Sequence, residues 1–308
     1  MGADRVIDFS LGQAHLCVRL GQLVIRREGE PDVTTPLDEI AVVVLASRRV
    51  TITQAVLAGL MDAGAAVVIA DEAMLPTGLM LPMTGHHAQT ERMLAQARAS
   101  LPRCKRVWQQ VVVAKVRAQA MALQLRTDDD GGLIALAARV RSGDPENIEA
   151  RAAQRYWPLV FGDSSFRRRR EAQDQNRLLN YGYAVMRAAV ARAICAVGLH
   201  PSLGVHHHGR FNPFCLADDL MEPWRPLVDL EVAEMVAEIG IGGGACPVDN
   251  SAKQRLVGVL HDRLNHKGES RTVFDWISRS AASLAEALTG DCPSREVRLS
   301  FPDGLFEP

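Results

Sequence analysis

Short apolar and β-branched runs, separated by turn residues, make up the N-terminal part of the chain. Runs of this kind are typical of β-strands. The predicted strands are Arg5–Phe9, His15–Leu20, Gln22–Arg27, Ile40–Leu45, Val50–Ile52 and Ala66–Asp71. Gln54–Ala63 predicts a short helix between the last two. Met74–Thr84 contains Pro76 and Pro82, so we expect an extended connector or a last strand there.

The periodicity changes after the segment HHAQT, which ends at Thr90. Apolar residues then recur three and four positions apart, which is typical of amphipathic helices. The predicted helices are Thr90–Leu101, Lys105–Leu125, Leu133–Arg141, one opened by Asp144 and Pro145 and running to about Trp157, one from about Arg170 to Val197, Asp219–Met221, Leu230–Glu238, Ala252–Leu264 and Val273–Leu288. The predicted fold class is therefore α+β, with a small N-terminal β-sheet domain over residues 1–88 and a larger, all-α-helical domain over residues 89–308.

The composition is that of a globular protein, with 47% hydrophobic and 23% charged residues. No apolar run reaches the ~18 residues that span a bilayer, and the start MGADRVIDFS lacks the basic-then-apolar order of a signal peptide. The 6 cysteines form no close pair, which argues against a zinc ribbon or a disulfide framework. We therefore expect a cytoplasmic protein with no membrane association.

Charge is distributed unevenly although the net charge is only −1. From Glu91 to Arg170 there are 16 Lys and Arg against 8 Asp and Glu, whereas Asp218–Asp249 contains one Arg against 8 acidic residues. A basic stretch attracts phosphates and an acidic one holds a cation, as a metal-dependent DNA enzyme requires. Segregation by chance among solvated helix faces explains the contrast equally well, so charge alone does not decide the function.

Three segments carry candidate chemistry, and the first is PENIEARAAQRYW at positions 145–157. Glu149 and Tyr156 lie seven positions apart, so one helix face carries a carboxylate beside small and aromatic residues. Taken alone, Glu149 fits an ordinary surface acid better than a catalytic residue. The second segment, GVHHHGRFNPF at positions 204–214, contains three consecutive histidines that are either ligands or proton carriers, or parts of a solvated loop.

The third segment is LADDLMEPWRPLVD at positions 216–229. Asp219 and Glu222 are three positions apart, so both carboxylates can converge on a cation from one helical turn. Oxygen ligands with one imidazole suit Mg²⁺ or Mn²⁺. Such an ion could polarise a phosphodiester and activate water or a 3′-hydroxyl. Individually these acids could be capping or salt-bridging groups, but the three segments together favour a metal site.

The order of these segments resembles the CRISPR-associated integrase family, the larger enzyme of spacer acquisition (Cas one). The resemblance rests on GDPENIEARAAQRYW followed by DQNRLLNYGYAVMRAAVARAICAVGLHPSLGVHHHGRFNPFCLADDLMEPWRPLVD, and it covers essentially the whole chain. The NYGY and GLHPSLG wording is most similar to the forms that accompany single-effector, Cas-nine-type (type II) systems.

The resemblance implies a Glu, a His and a final acid as catalytic divalent-metal ligands. These map onto Glu149, His207 and Glu222, with His208 or His206 as less favoured ligands because this chain has three histidines where the family usually has two. It also implies Asp219 as a supporting acid, and we add Tyr156 and His208 as supporting residues.

The implied function is insertion of short duplex prespacer DNA into a CRISPR repeat by 3′-hydroxyl transesterification. The family forms homodimers through the N-terminal β domain, and two dimers flank a smaller partner (Cas two) in a heterohexamer. The alternatives are a general metal-dependent endonuclease acting on branched or single-stranded DNA, which uses the same residues with water as the nucleophile, and a non-catalytic DNA-binding scaffold.

DNA contacts are predicted at the most basic run, FRRRR at positions 166–170. Such a run can follow phosphates with little sequence preference, or it can form a solvated loop or ion pairs with nearby acids. The predicted DNA-binding residues are Arg167, Arg168, Arg169, Arg170 and Asn180. The Gly-rich segment at positions 239–247 lacks the phosphate-loop pattern and is predicted to be a flexible connection.

Overall fold

The computed structural model describes residues 4–9, 12–70, 76–169, 171–240, 246–266, 268–290 and 293–302. Arg170, predicted to bind DNA, and most of the Gly-rich segment therefore lie outside the described residues. The N-terminal strands are β1 (Arg5–Phe9), β2 (Ala14–Arg19), β3 (Gln22–Arg26), β4 (Val33–Pro36), β5 (Ile40–Leu45), β6 (Val50–Ile52), β7 (Ala66–Ala70) and β8 (Pro76–Met80).

These strands form two four-stranded sheets. In the first sheet, with the order β1-β5-β7-β8, the first three strands are parallel and β8 runs antiparallel to β7. The second sheet has the order β4-β3-β2-β6, with antiparallel pairs except for the parallel pair of β2 and β6. The helix α1 (Gln54–Asp62) buries Val56 and Leu60 in a core shared with residues of both sheets, such as Phe9 and Leu23.

The remainder of the described chain is mainly helical. The helices are α2 (Gln89–Ala97), α3 (Leu101–Thr127), α4 (Leu133–Ala137), α5 (Ile148–Phe161), α6 (Asn176–Ala196), α7 (Cys215–Met221), α8 (Arg225–Ile239), α9 (Asn250–Gly258) and α10 (Val273–Thr289). Two further strands, β9 (Arg263–His266) and β10 (Glu269–Thr272), pair antiparallel. None of the helices within the described ranges has the length and apolar character that crossing a bilayer requires.

The predicted α+β class fits, with sheets in the N-terminal part and mainly helices beyond it, but several details were wrong. The second part is not all-helical, because Leu264, placed in a predicted helix, lies in the β9–β10 hairpin and α9 ends at Gly258. The long helix begins at Asn176 rather than near Arg170. The strand at Val33–Pro36 was not predicted, since three of its four residues are polar or proline and only Thr35 is buried. The domain boundary at residue 88 stays a prediction.

Helix α6 lies at the centre of the largest hydrophobic core. It packs against β5 and β7 on one side and against α7, α8, α9 and α10 on others. Gly182 permits the close approach of α8 and α9, because a Cβ atom there would lie 2.5 Å from Val228 Cγ1 and 3.3 Å from Leu256 Cδ2. The consequence for the site is that α6 fixes α7 and α8, which carry the acidic segment, relative to the rest of the molecule.

Candidate active site

A backbone turn at the start of α5 positions Glu149. Asp144 and Asn147 both adopt positive φ angles, of 49° and 51°, and the helix begins only at Ile148. The prediction that Asp144 caps the helix directly and Pro145 opens it was therefore wrong in register. The Asp144 carboxylate instead accepts hydrogen bonds from the backbone N–H groups of Ile148 and Glu149, both at 2.9 Å. These bonds satisfy first-turn donors and place Glu149 in the first turn of α5.

The carboxylates of Glu149 and Glu222 meet at a buried lysine. Lys115, from the middle of α3, donates a hydrogen bond to Glu149 Oε1 and lies 2.5 Å from Glu222 Oε2. The side chains of Lys115 and Glu222 are only 9% and 7% exposed, whereas that of Glu149 is 29% exposed. The structure therefore brings two of the three predicted catalytic residues together, on α5 and at the end of α7, and adds a cation between them.

A second cation contacts the other oxygen of Glu222. Arg225 Nε lies 3.0 Å from Glu222 Oε1, and its guanidinium carbon lies 4.7 Å from the centre of the Tyr183 ring. Burial raises the pKa of the Glu222 carboxyl, but the charges of Arg225 and Lys115 outweigh burial and lower it to about 2. Burial likewise lowers the pKa of Lys115, and the charges of Glu222 and Glu149 outweigh it, so this pKa is raised. The Glu222 carboxylate is thus stabilised as an anion by two neighbouring cations.

Asp219 organises the histidine loop. Its carboxylate accepts hydrogen bonds from the backbone N–H groups of Val205 at 2.7 Å, His206 at 3.0 Å and His207 at 3.1 Å. His207 Nδ1 lies 2.6 Å from Asp219 Oδ1. Gly204 allows the loop to close this tightly, because a Cβ atom there would lie 2.2 Å from the carbonyl oxygen of His207.

The Asp219 contact distinguishes His207 from the neighbouring histidines. This hydrogen bond raises the pKa of His207 against the opposite effect of burial, and the charge of Glu222 adds to the rise. Bonding through Nδ1 leaves Nε2 as the nitrogen that can coordinate an ion, which is the arrangement common for metal-binding histidines. His206 instead stacks on Trp108, with parallel rings 3.9 Å apart, and His208 is exposed at a separate cavity that contains Cys104 and Cys215.

The donor set of Glu149, His207 and Glu222 matches a divalent ion such as Mg²⁺ or Mn²⁺ in chemistry. Within the described ranges, however, no three His, Cys, Asp or Glu side chains are grouped closely enough to hold a metal ion. The Lys115 ammonium group occupies the space between the two carboxylates. The residues therefore have the chemical types that bind such an ion, but binding one requires a local rearrangement at Lys115.

Tyr156 lies in the core beneath the site rather than at its surface. It is fully buried, and burial together with the charge of Asp229 raises its pKa well above the usual value. Tyr183 donates a hydrogen bond to Asp229, which is 1% exposed. Burial raises the pKa of Asp229 to about 7 against this hydrogen bond and the charge of Arg225. Tyr183 and Asp229 thus lie beneath Arg225 and support the site from within the core.

The basic run is divided between two environments. Arg168 donates hydrogen bonds to Asn176 Oδ1 at 2.9 Å and Asn180 Oδ1 at 2.7 Å, and its guanidinium carbon lies 5.2 Å from the Tyr183 ring centre. Arg168 and the buried Asn180 therefore hold the segment onto α6. Arg167 and Arg169 are exposed. Their exposure suits contact with phosphates, and the prediction that they bind DNA stays a prediction.

A cavity of about 570 Å³ opens beside the acidic helix α7. Its lining includes Asp218, Asn212 and Arg187. Asn212 and Arg187 each donate a hydrogen bond of 2.7 Å to the Asp218 carboxylate. Phe211 at this cavity is 90% exposed, and the guanidinium carbon of Arg210 lies 5.5 Å from its ring centre. An exposed ring next to a cation can stack on an unpaired base and contact its phosphate.

Sequence reasoning missed Lys115, Arg225 and Trp108 as parts of the site. Lys115 had a detectable signal, since it is a lone charge in the apolar stretch VVVAKV, where a buried lysine requires an anionic partner. Arg225 lies three positions after Glu222, a spacing at which helical side chains meet. Nothing in the sequence indicates that Trp108 stacks on His206, because the two residues are far apart along the chain.

The family model for CRISPR associated protein Cas1 matches residues 11–245. A CRISPR-associated endonuclease Cas1 of Neisseria meningitidis serogroup C (strain 8013) is 35% identical over 286 residues, which cover 92% of this chain and 92% of that protein.

The fold is shared with solved structures of two kinds of protein, a casposase and a Cas1 complex. A casposase bound to its integration product superposes with a TM-score of 0.78 at 20% identity, covering 98% of this chain and 94% of that one. A chain of a Cas6-RT-Cas1–Cas2 complex gives a TM-score of 0.77 at 18% identity, covering 96% of this chain and 36% of that one. The architecture is thus of the class shared by Cas1 proteins and casposases. From the family match and the Neisseria relative, the chain belongs to the CRISPR-associated Cas1 family.

Proposed function

We propose that this protein is a metal-dependent DNA integrase of CRISPR adaptation, which inserts short duplex prespacers into a CRISPR array. The observation that supports this most is the convergence of Glu149 and Glu222, from α5 and the end of α7, on one point in a chain of the Cas1 family. A casposase with the same fold is bound to an integration product, which supports joining as well as cutting.

Glu149, His207 and Glu222 would hold a Mg²⁺ or Mn²⁺ ion. When bound, the ion would neutralise charge on the phosphodiester and favour ionisation of the attacking hydroxyl. Asp219 holds the His207 ring through Nδ1 and so presents Nε2 to the site. Arg225 keeps the Glu222 carboxyl ionised and oriented from the opposite side. Asp219 and Arg225 thereby hold His207 and Glu222 in place before an ion binds, whereas Lys115 would have to move to admit it.

The reaction is a direct transesterification. The 3′-hydroxyl oxygen of the prespacer attacks a phosphorus atom of the repeat, and the 3′-oxygen of the repeat strand leaves. The total number of phosphodiester bonds is unchanged, so the reaction requires neither a covalent protein intermediate nor a nucleotide cofactor.

The substrate and partners follow the family. We propose that the protein acts in the cytoplasm on double-stranded prespacer and repeat DNA. We also propose a homodimer formed through the N-terminal β domain, with two dimers joined by the smaller Cas2 partner in a heterohexamer. Some of the solved structures that share the fold are Cas6-RT-Cas1–Cas2 complexes, which supports the partner. Arg167, Arg169 and the Arg210–Phe211 pair are exposed and would contact DNA.

Endonuclease activity without joining is the second candidate, and the Neisseria relative's name as an endonuclease favours it. The same residues would then activate water in place of a DNA 3′-hydroxyl.

The two are separated by incubating the protein, alone and with its Cas2 partner, with a labelled duplex and a supercoiled plasmid that carries a repeat. Label joined to the plasmid in Mn²⁺ or Mg²⁺, and absent with chelator or with Glu222→Ala, establishes the integrase. Nicking without joining in Mn²⁺ or Mg²⁺, both with and without the partner, establishes the nuclease. DNA binding without either reaction would favour a scaffold.

A further inference from the structure

Lys115 is a buried cation that contacts both carboxylates of the acidic centre, Glu149 and Glu222. Its ammonium group contacts one oxygen of Glu149 and lies 2.5 Å from Glu222 Oε2, and its side chain is 9% exposed. A lysine in the interior of α3 could pack its methylene groups and extend its charge into solvent. Here the charge remains inside and joins two carboxylates from other helices. The ammonium group is therefore held by the two carboxylates and does not extend along the surface of α3 into solvent.

The charges of this group balance without any added ion. Glu149 and Glu222 contribute two negative charges, and Lys115 and Arg225 contribute two positive charges. A divalent cation added to all four side chains would leave a net charge of two in a region from which water is largely excluded. Excess charge of this kind is strongly unfavourable at low dielectric. Entry of a divalent ion is therefore coupled to the departure of one of the two cations.

Arg225 is the more firmly held of the two cations. It lies three residues from Glu222, with its Nε atom 3.0 Å from Glu222 Oε1, and its guanidinium group packs over the Tyr183 ring. Lys115 has a flexible chain of four methylene groups and approaches from a different helix. It also contacts both carboxylates, so its removal frees one oxygen of each acid at once.

From this geometry we infer that Lys115 is an internal competitor of the metal ion, neutralising Glu149 and Glu222 in the metal-free protein and leaving them when a divalent cation binds. The inference rests on the proposed function, since it takes these acids as the metal ligands. Metal binding must break the ion pairs of Lys115 with the buried Glu222 and the partly exposed Glu149, and this cost lowers the affinity for the ion. The same two ion pairs stabilise the metal-free fold. Lys115 would thus keep the acidic centre folded until metal is bound.

Calorimetric titration of the metal-stripped protein with Mn²⁺ at constant pH tests this inference. Lys115→Met removes the competing charge, and we expect a Kd for Mn²⁺ lower by on the order of tenfold or more. The melting temperature of the metal-free variant should fall, and its rise on adding Mn²⁺ should exceed that of the wild type. Lys105→Met is the matched control, because it removes an exposed positive charge from the same helix and should leave the Kd within about twofold.

Lys115→Gln serves as a second variant, because the amide still donates to one carboxylate and the protein then folds more readily than with Met. Tighter Mn²⁺ binding by either folded variant supports competition. If both folded variants bind Mn²⁺ no more tightly than the wild type does, the inference is overturned. The proposed metal centre itself would still stand in that case. If the wild type and both variants fail to bind Mn²⁺, also with DNA present, the proposed metal-dependent function fails, and Lys115 is then only a structural counter-ion.

Discussion

Replacing Asp219 with Asn tests the structural role of the acid that holds the histidine loop. The two carboxylate oxygens accept four hydrogen bonds, three from backbone N–H groups and one at His207 Nδ1. An amide of the same shape offers one acceptor oxygen and one NH₂ group. At least one pair of these donors would then face an NH₂ group, although the side chain still fits.

The magnitude follows from the bonds that are lost. Hydrogen bonds to charged groups contribute about 1.5–3 kcal/mol each, so the loss of two bonds at a side chain that is 1% exposed destabilises the protein by about 3–6 kcal/mol before relaxation. Relaxation of the loop reduces this, and we expect a decrease of about 3 kcal/mol in the free energy of unfolding. Loss of the His207 contact should also weaken Mn²⁺ binding by about 10–100-fold.

Urea denaturation and Mn²⁺ titration of the folded variant measure both effects. The matched control is Asp275→Asn, which changes an exposed acid in the first turn of α10 and should alter stability by less than about 1 kcal/mol. An Asp219→Asn protein with wild-type stability and wild-type metal affinity would refute the reasoning. The hydrogen bonds to the two carboxylate oxygens would then contribute nothing to the free energy of unfolding or of metal binding.

Three further predictions concern packing, pH dependence and DNA contact. Gly182→Ala should destabilise the protein by about 1–2 kcal/mol despite the better helix propensity of Ala, because the new Cβ would lie 2.5 Å from Val228 Cγ1. Gly258→Ala is the control, because a Cβ atom there meets no atom within 4 Å. Equal urea midpoints for the two variants would contradict the prediction. Asp229 has a pKa of about 7 in the folded protein, so the native state retains a proton that the unfolded chain releases. Its contribution to stability is therefore full below pH ~4 and declines as the pH rises to about 7, by at most about 4 kcal/mol; urea unfolding across this range should show a decline relative to Asp229→Asn, and parallel curves would contradict the assignment. Phe211→Ala should weaken binding of single-stranded DNA by about 1–3 kcal/mol while duplex binding changes less, as measured by fluorescence anisotropy; equal losses on both substrates would exclude base stacking.

Most of the secondary structure could be predicted from local sequence patterns. The buried strand Ile40–Leu45 and the helix Gln54–Asp62 were predicted within one residue at each end, because continuous apolar runs and turn residues bound them. Val33–Pro36 was missed because its short, largely exposed VTTP sequence has no apolar alternation, and its pairing with β3 depends on the fold. The start of α5 was misplaced because Asp144 bonds to the first turn from an unusual positive φ angle.

The sequence indicated residue types for the candidate site but not the contacts between them. The acids and histidines were found from their spacing and from the family resemblance. The link between His207 and Asp219 selects one of three adjacent histidines, and this depends on the loop that closes around the carboxylate. Lys115 was missed because its two partners come from helices 34 and 107 positions away along the chain. Tertiary contacts of this kind leave no periodic signal in the sequence.

Joining of a labelled duplex to a repeat-bearing plasmid, with the Cas2 partner present, tests the central claim most directly. The wild-type protein should form a covalent product with Mn²⁺ or Mg²⁺, and chelator should abolish it. A folded Glu222→Ala protein should bind the duplex but form no product, since Glu222 acts in the chemical step. Product formation by Glu222→Ala, or by the wild type in chelator, would contradict a metal centre built on Glu149, His207 and Glu222.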